Sequence, residues 1–158
     1  MMRCIAAVVL LAGIACSTAW AGSSEVKFHG ALYKLSCKVN NDQPVDISFG
    51  KVGVNKVDGV RYATAIPISI QCDEAPSAKL NLTITGNVSD FDSSAVQTTV
   101  GDLAIQIQQN GQPVSVGESF LVNEDNPPAL VSVPVMRPGS KLVGGEFSAV
   151  ATLIIQGD

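Results

Sequence analysis

Apolar and polar residues alternate along most of the chain, and this pattern predicts an all-β protein. Five segments alternate or nearly alternate and are rich in β-branched side chains, as half-buried strands are. They cover residues 63–72, 80–86, 103–109, 129–136 and 147–155. No segment shows a convincing apolar stripe with the 3.6-residue helical period. Short strands with turn signals between them favour an antiparallel β-sandwich of immunoglobulin-like size.

Turn residues and prolines refine this prediction. The dipeptide Asn110-Gly111 follows the third segment and is a strong signal for a type I′ hairpin that leads into residues 112–116. Pro67 and Pro134 lie inside predicted strands and lack a backbone N–H. We therefore expect the strands that contain them to lie at a sheet edge or to carry a bulge.

Another alternating segment lies near the N-terminus, at residues 24–32. Its polar side chains Glu25, Lys27 and His29 alternate with an apolar face. The residues of that face are Val26, Phe28, Gly30 and Leu32. No adjacent segment offers a tight hairpin partner, so this face is expected to pair with another molecule.

The last predicted strand alternates almost to the end of the sequence. Its apolar face consists of Phe147, Ala149, Ala151, Leu153 and Ile155. A sandwich of this size normally has a further strand beside this one, and no sequence remains to form it. The pattern therefore predicts a domain that is one strand short at its C-terminus.

Residues 1–21 have the parts of a secretory signal peptide. Arg3 precedes an apolar run over residues 5–15, and residues 19–21 fit an A-x-A cleavage site. The run is too short to span a membrane. The prediction is an exported mature chain that begins at Gly22 and has the length of a single domain.

Composition limits the function. The chain carries 10 basic and 14 acidic residues, a net charge of −4, without a basic cluster. This argues against nucleic acids and anionic membranes as partners. The mature sequence has one histidine, His29, and no G-x-S-x-G elbow, so a Ser-His-Asp enzyme is not indicated. We expect no catalytic residue, metal, cofactor or small-molecule substrate.

The cysteines favour a disulfide over a metal site. Only Cys37 and Cys72 remain after removal of the signal peptide, and such a pair in an oxidising compartment is most simply a disulfide. A thiolate metal site would need more ligands than the mature chain offers. Asp90 and Asp92 resemble the start of a calcium loop, but Ala95 replaces the turn glycine, so a solvated loop is favoured.

Five short motifs occur in a characteristic order. VKFHG is followed by a cysteine seven residues after its glycine. VDISFGKV (45–52), ISIQC (68–72), LTITGN (82–87) and GEFSAVATL (145–153) come after it. Together they resemble the chaperone–usher pilins, and among these the minor tip subunits of P- and type 1-like fimbriae. The resemblance covers essentially the whole mature chain.

The resemblance implies a fold and a route of assembly. The family's domain is an incomplete immunoglobulin-like sandwich that lacks its C-terminal seventh strand, so a groove of core residues stays open. A periplasmic chaperone fills the groove first, and the N-terminal extension of the next pilin replaces it at the outer-membrane usher. This would divide the chain into a signal peptide (1–21), a donor-strand extension (22–33) and a pilin domain (34–158).

Roles of single residues follow from the same resemblance. The four residues of the N-terminal apolar face look like those that enter a neighbour's groove, where Gly30 would let the backbone approach the groove floor. The five apolar residues of the last strand would line one wall of this subunit's own groove. Cys37 and Cys72 fit the family's disulfide, and chaperone residues would grip the carboxylate of Asp158. Gly157 departs from the family pattern, which usually has an aromatic residue there.

The expected function is that of a structural, non-enzymatic minor or adaptor subunit of an adhesive fimbrium. Its partners would be the chaperone, the usher and neighbouring pilins, which could include a tip adhesin. It would pass through the periplasm and end on the bacterial surface. Two alternatives remain. One is a self-contained secreted β-sandwich that binds a ligand, such as an adhesin domain. The other is a periplasmic enzyme or copper/zinc protein, which the single histidine disfavours.

Overall fold

The computed structural model describes residues 24–31, 36–73 and 79–157. The chain divides into two compact units, residues 1–32 and residues 33–158. In the first unit, residues 24–31 form no regular secondary structure, and their side chains are exposed. The predicted signal peptide, residues 1–21, lies outside the described residues.

In the described part of the second unit, the regular secondary structure is made of strands and one 3₁₀ turn, Asn40–Asp42. This confirms the all-β prediction. The strands are β1 (Cys37–Val39), β2 (Thr64–Ile66), β3 (Ile70–Cys72), β4 (Leu80–Gly86), β5 (Ala95–Gln97), β6 (Leu103–Gln109), β7 (Gln112–Pro113), β8 (Ser119–Val122), β9 (Leu130–Met136) and β10 (Ala151–Gly157). The larger sheet has the order β2-β9-β6-β5, with β7 paired to β6. A second sheet has the order β10-β4-β8, and β1 pairs with β3. All strand pairs are antiparallel.

The two larger sheets form a sandwich around one apolar core. Leu82 and Ile84 of β4 pack with Ile107 of β6 and Leu130 of β9, and each of these side chains is almost completely buried. Along β4, buried Leu82 and Ile84 alternate with more exposed polar residues, which explains why this segment forms a strand with one buried face. The core reaches β10 through Leu153 and Ile155, which pack against it while half-buried.

Local features of the sequence have their expected effects at two places. Asn110 and Gly111 have φ values of 51° and 76°, and a type I′ hairpin turn requires positive φ at both positions. The strand that follows is shorter than predicted, because β7 ends at Pro113. Cys37 and Cys72 form the predicted disulfide, with a sulfur–sulfur distance of 2.10 Å, and they are directly paired residues of β1 and β3.

The predicted strand at residues 63–72 is in fact two strands. Pro67 ends β2, and the chain then passes from the larger sheet to the pair formed with β1. Asn40 stabilises this break: its side-chain amide donates to the Pro67 carbonyl at 3.0 Å and accepts from the Ser69 N–H at 2.7 Å. These side-chain bonds satisfy the Pro67 carbonyl and the Ser69 N–H, which lie between β2 and β3 and belong to neither strand.

Pro134 corrects a second expectation. It lies in β9, which is an internal strand between β2 and β6, so the predicted edge position is wrong for this strand. The pairing of β2 with β9 ends at Ser132, however, and Pro134 pairs only with Ile105 of β6. The missing N–H therefore falls where β9 has a single neighbour.

Candidate functional site

The second unit has a long open groove of about 1390 Å³. One wall, here called the first wall, is the segment 43–52. The opposite wall, here called the second wall, is the segment 142–155 and includes most of β10. Buried apolar side chains of β4 and β6, among them Ile84 and Ile105, form the floor. The floor is almost completely buried, and the apolar side chains that the groove leaves partly open to solvent belong to its walls, such as Phe49, Leu153 and Ile155.

The first wall belongs to no sheet, and its backbone turns at Gly50, where φ is 62°. Ile47 and Phe49 are half-buried and alternate with exposed Asp46 and Ser48, which is the pattern of a strand with one face toward the core. Among the described residues, residues 44–52 take part in no backbone–backbone hydrogen bond. The Gly50 N–H donates to the Ser48 hydroxyl at 3.3 Å, and Pro44 has no N–H. The other N–H and C=O groups of this segment are available to a strand laid alongside.

Both ends of the first wall are fixed by side chains. Just before its start, the Asn40 side chain bonds to Pro67 and Ser69, which lie between β2 and β3. At its end, the Gly53 N–H donates to the Tyr62 hydroxyl at 3.1 Å. Tyr62 has a φ of 64°, which is uncommon for a residue other than glycine. The wall is therefore a segment without sheet bonds that is held between two anchored points.

The second wall carries the five residues that the sequence predicted for it. Phe147 faces Phe49 of the first wall, with ring centroids 6.1 Å apart. Ala149 and Ala151 are exposed, whereas Leu153 and Ile155 are half-buried. The structure thus places all of them along the groove. Their role in accepting a strand remains a prediction.

Regular strand geometry begins later in this wall than predicted, at Ala151 rather than Phe147. The pairing with β4 starts at Ala151 and Gly86, where β4 ends. Before that point, Ser148 bonds to Thr99 instead: its carbonyl accepts the Thr99 N–H at 3.0 Å, and its own N–H donates to the Thr99 hydroxyl at 3.1 Å. In the described part of the chain, β4 is the only strand that is hydrogen-bonded to β10, so the other edge of β10 has no sheet pairing.

Sequence reasoning missed the first wall as part of the site. The motif VDISFGKV is part of the resemblance to pilins, but the motif alone does not indicate that residues 45–52 line the groove. The signal was present in the alternation of Val45, Ile47 and Phe49. It was weak because alternation predicts a buried face without indicating whether the strand edge is paired.

The predicted donor residues lie in the first unit. Val26 is 67% exposed and Phe28 is 93% exposed, so both offer apolar surface. Nothing lies within 4 Å of the position that a Cβ on Gly30 would occupy. Lys27 and Glu25 form an exposed ion pair at 3.7 Å. Leu32, and the predicted chaperone anchor Asp158, lie outside the described residues.

The acidic loop that resembles a calcium site is held by the chain's own groups. Hydrogen bonds from Arg137 lower the pKa of the Asp90 carboxyl, and the same guanidinium bonds to Asp102 at 2.6 Å. Partial burial raises the pKa of Asp92, but hydrogen bonds from Ser94 and Gln106 together hold it below its usual value. These carboxylates are therefore engaged in stabilising the loop.

Within residues 24–31, 36–73 and 79–157, no three histidine, cysteine, aspartate or glutamate side chains lie together as metal ligands. No helix in those ranges has the length and apolar content needed to cross a membrane. The groove, with apolar side chains on its floor and unpaired backbone edges on its walls, offers the groups that bind an extended peptide segment by β-strand addition.

Comparison with known proteins gives consistent results. Residues 26–156 match the family model described as fimbrial protein. The chain is 26% identical to the fimbrial-like protein YfcQ of Escherichia coli K12 over 147 residues, which are 89% of this chain and 91% of that protein. It is 25% identical to the fimbrial adapter PapF of Escherichia coli, covering 82% of this chain and 84% of PapF.

Solved structures show the same fold. The crystal structure of the P pilus rod subunit PapA superposes with a TM-score of 0.65 at 19% identity. The match covers 85% of this chain and 99% of PapA. At this level of identity, the likeness concerns the fold, an immunoglobulin-like pilin sandwich, and agrees with the prediction from the sequence.

Proposed function

The chain belongs to the fimbrial protein family and is a fimbrial subunit, and we propose that its open groove accepts a β-strand from another subunit. The observation that carries this proposal is an apolar floor between two walls whose backbone edges have no sheet pairing in the described part of the chain. A strand placed between the walls could bond to residues 44–52 on one side and to β10 on the other. Its apolar side chains would cover the half-buried apolar residues of the two walls, among them Phe49, Leu153 and Ile155.

The N-terminal segment would supply the matching half of the joint. In this proposal residues 22–33 are a donor extension of the pilin domain 34–158, and the side chains of Val26, Phe28 and Leu32 enter a neighbouring subunit's groove. The exposure of Val26 and Phe28 supports this role. Burying such a side chain stabilises by about 1.5–3 kcal/mol, so the three together with a ladder of backbone bonds would give a long-lived joint.

Assembly in this proposal involves only binding steps. The family is structural, and strand addition forms or breaks no covalent bond. A signal peptide at residues 1–21 would direct the chain to the periplasm. A chaperone would occupy the groove and hold the Asp158 carboxylate, and exchange at the outer-membrane usher would place the subunit in the surface fimbrium.

Within the fimbrium, we favour a minor or adaptor position. This rests on the similarity to PapF, which is named a fimbrial adapter, over most of both chains. As in any subunit inside the fibre, the groove and the N-terminal apolar face would join two neighbours, which for an adaptor would be different subunits.

The test is the thermal stability of the purified mature chain with and without donor-strand peptides. The peptides copy the N-terminal segments of fimbrial subunits from the same genome, and residues 24–32 of this chain are among them. At least one peptide should raise the melting temperature by several degrees, because it binds only the folded state. Ala151→Arg should abolish the shift by filling the groove, whereas Leu121→Arg, on the exposed face of β8, should leave it intact.

The competing function is a self-contained sandwich that binds a ligand. It predicts a stable monomer whose melting temperature does not change with any of the peptides. That result would overturn the proposal.

A further inference from the structure

Both walls of the groove carry an acidic side chain at the rim. Asp46 lies on the first wall, between groove-facing residues, and is exposed. Glu146 lies on the second wall, next to Phe147, and is exposed as well. Among the described residues, no ion pair engages either carboxylate.

The other charged residues that line the groove do not neutralise both Asp46 and Glu146. Asp42 also lines the groove, but it pairs with Lys38 at 3.7 Å. Lys51 is the one basic residue among the described lining residues. With Asp42 paired to Lys38, the two remaining acids, Asp46 and Glu146, lie on opposite walls and outnumber the single basic residue, Lys51.

A strand in the groove would bring its own side chains next to these carboxylates. Side chains alternate along a strand, so every second one would point away from the floor toward the rim. Side chains of neighbouring strands on the same face lie about 4.5–5.5 Å apart, where opposite charges attract and like charges destabilise. The outward side chains of the bound strand would thus lie between Asp46 and Glu146.

We propose that the groove selects, from the donor strands of fimbrial subunits, one whose outward-facing side chains are basic. This rests on the proposed function, and it names the kind of partner the groove takes. The chain's own N-terminal segment does not fit that description, because its outward face has Glu25 beside Lys27 and these two form an ion pair. A second copy of this chain is therefore a poorer donor than a different subunit with a basic face.

The selection acts mainly on the rate of association. Ion pairs between exposed groups are weak and are screened by salt, so they change the final affinity only modestly. Complementary charges do speed the encounter of two binding partners at low ionic strength. We expect a change of about two- to five-fold per outward charge at low salt.

The experiment uses the donor peptide that stabilises the mature chain most in the preceding test. Three versions keep its apolar face and carry Lys, Ala or Glu at two outward positions. Association rates are measured by stopped-flow fluorescence at about 0.02 M and about 0.5 M salt, which span long and short screening lengths. The Lys peptide should bind fastest and the Glu peptide slowest at low salt, and the three rates should converge at high salt.

The protein variants assign the effect to the rim. The double variant Asp46→Asn, Glu146→Gln should remove the rate difference, and the matched control Glu118→Gln, which lies off the groove, should preserve it. Equal rates for the three peptides at low salt, or a difference that survives in the double variant, would overturn this inference and leave the proposed function standing. If no peptide binds at all, both fall together.

Discussion

Phe28→Asp in the N-terminal segment is the perturbation with the largest expected effect on subunit joining. Phe28 is 93% exposed, so nearly its whole side chain is available for burial in a neighbour's groove. Losing that burial removes about 2–3 kcal/mol. A carboxylate placed against an apolar floor adds a penalty of at least about 2 kcal/mol. The sum of about 4–5 kcal/mol corresponds to a loss of roughly a thousandfold in the stability of the joint.

The assay is the joining of the purified subunit to the next fimbrial subunit, followed as formation of a complex that survives gel electrophoresis. The matched control is His29→Ala, since His29 lies beside Phe28 on the opposite, polar face of the segment. We expect Phe28→Asp to form no complex while its capture by the chaperone is unchanged, and His29→Ala to behave as the native chain. Normal joining by Phe28→Asp, or an equal defect in His29→Ala, would refute the assignment of the donor face.

Three further predictions concern the pilin domain itself. Tyr62→Phe removes the acceptor for the Gly53 N–H, so the first wall loses one anchor. Since a lost hydrogen bond costs about 0.5–1.5 kcal/mol, a bound donor peptide should dissociate several-fold faster, which a competition experiment measures. Replacing Cys37 and Cys72 with serine together releases a loop of 35 residues and should lower the free energy of unfolding by about 4 kcal/mol in chemical denaturation. The pKa of Asp92 is lower in the folded state than in the unfolded chain, so the Asp92 carboxylate stabilises the fold fully above about pH 4. This stabilisation is lost as the pH falls through the lowered pKa. Asp92→Asn should therefore flatten this part of the curve of unfolding free energy against pH.

Segments with complete alternation and neighbours on both sides were predictable. β4 and β6 have the predicted bounds, because their apolar faces are continuous and each strand is paired along most of its length. The short strands β5 and β8 were not predicted. Each has only three or four residues and lies at a sheet edge, where pairing with one neighbour leaves little apolar pattern to read.

The groove was predictable in part. Alternation from Phe147 to Ile155 identified the second wall, because those residues face the core whether or not a further strand is present. The first wall requires knowledge of long-range contacts. Its position depends on Asn40 bonding to residues nearly thirty positions away and on the loop closed by Tyr62, and neither contact leaves a local pattern in the sequence.

Hydrogen exchange of backbone amides tests the central claim most directly. The rates are measured for residues 44–52 and for β10, in the mature chain alone and with a saturating donor peptide. If the peptide lies between the two walls as a strand, exchange should slow by at least about tenfold at alternate residues of both segments, because their amides gain partners. Exchange that stays unchanged in both walls while the peptide is bound would contradict the claim that this groove accepts the strand.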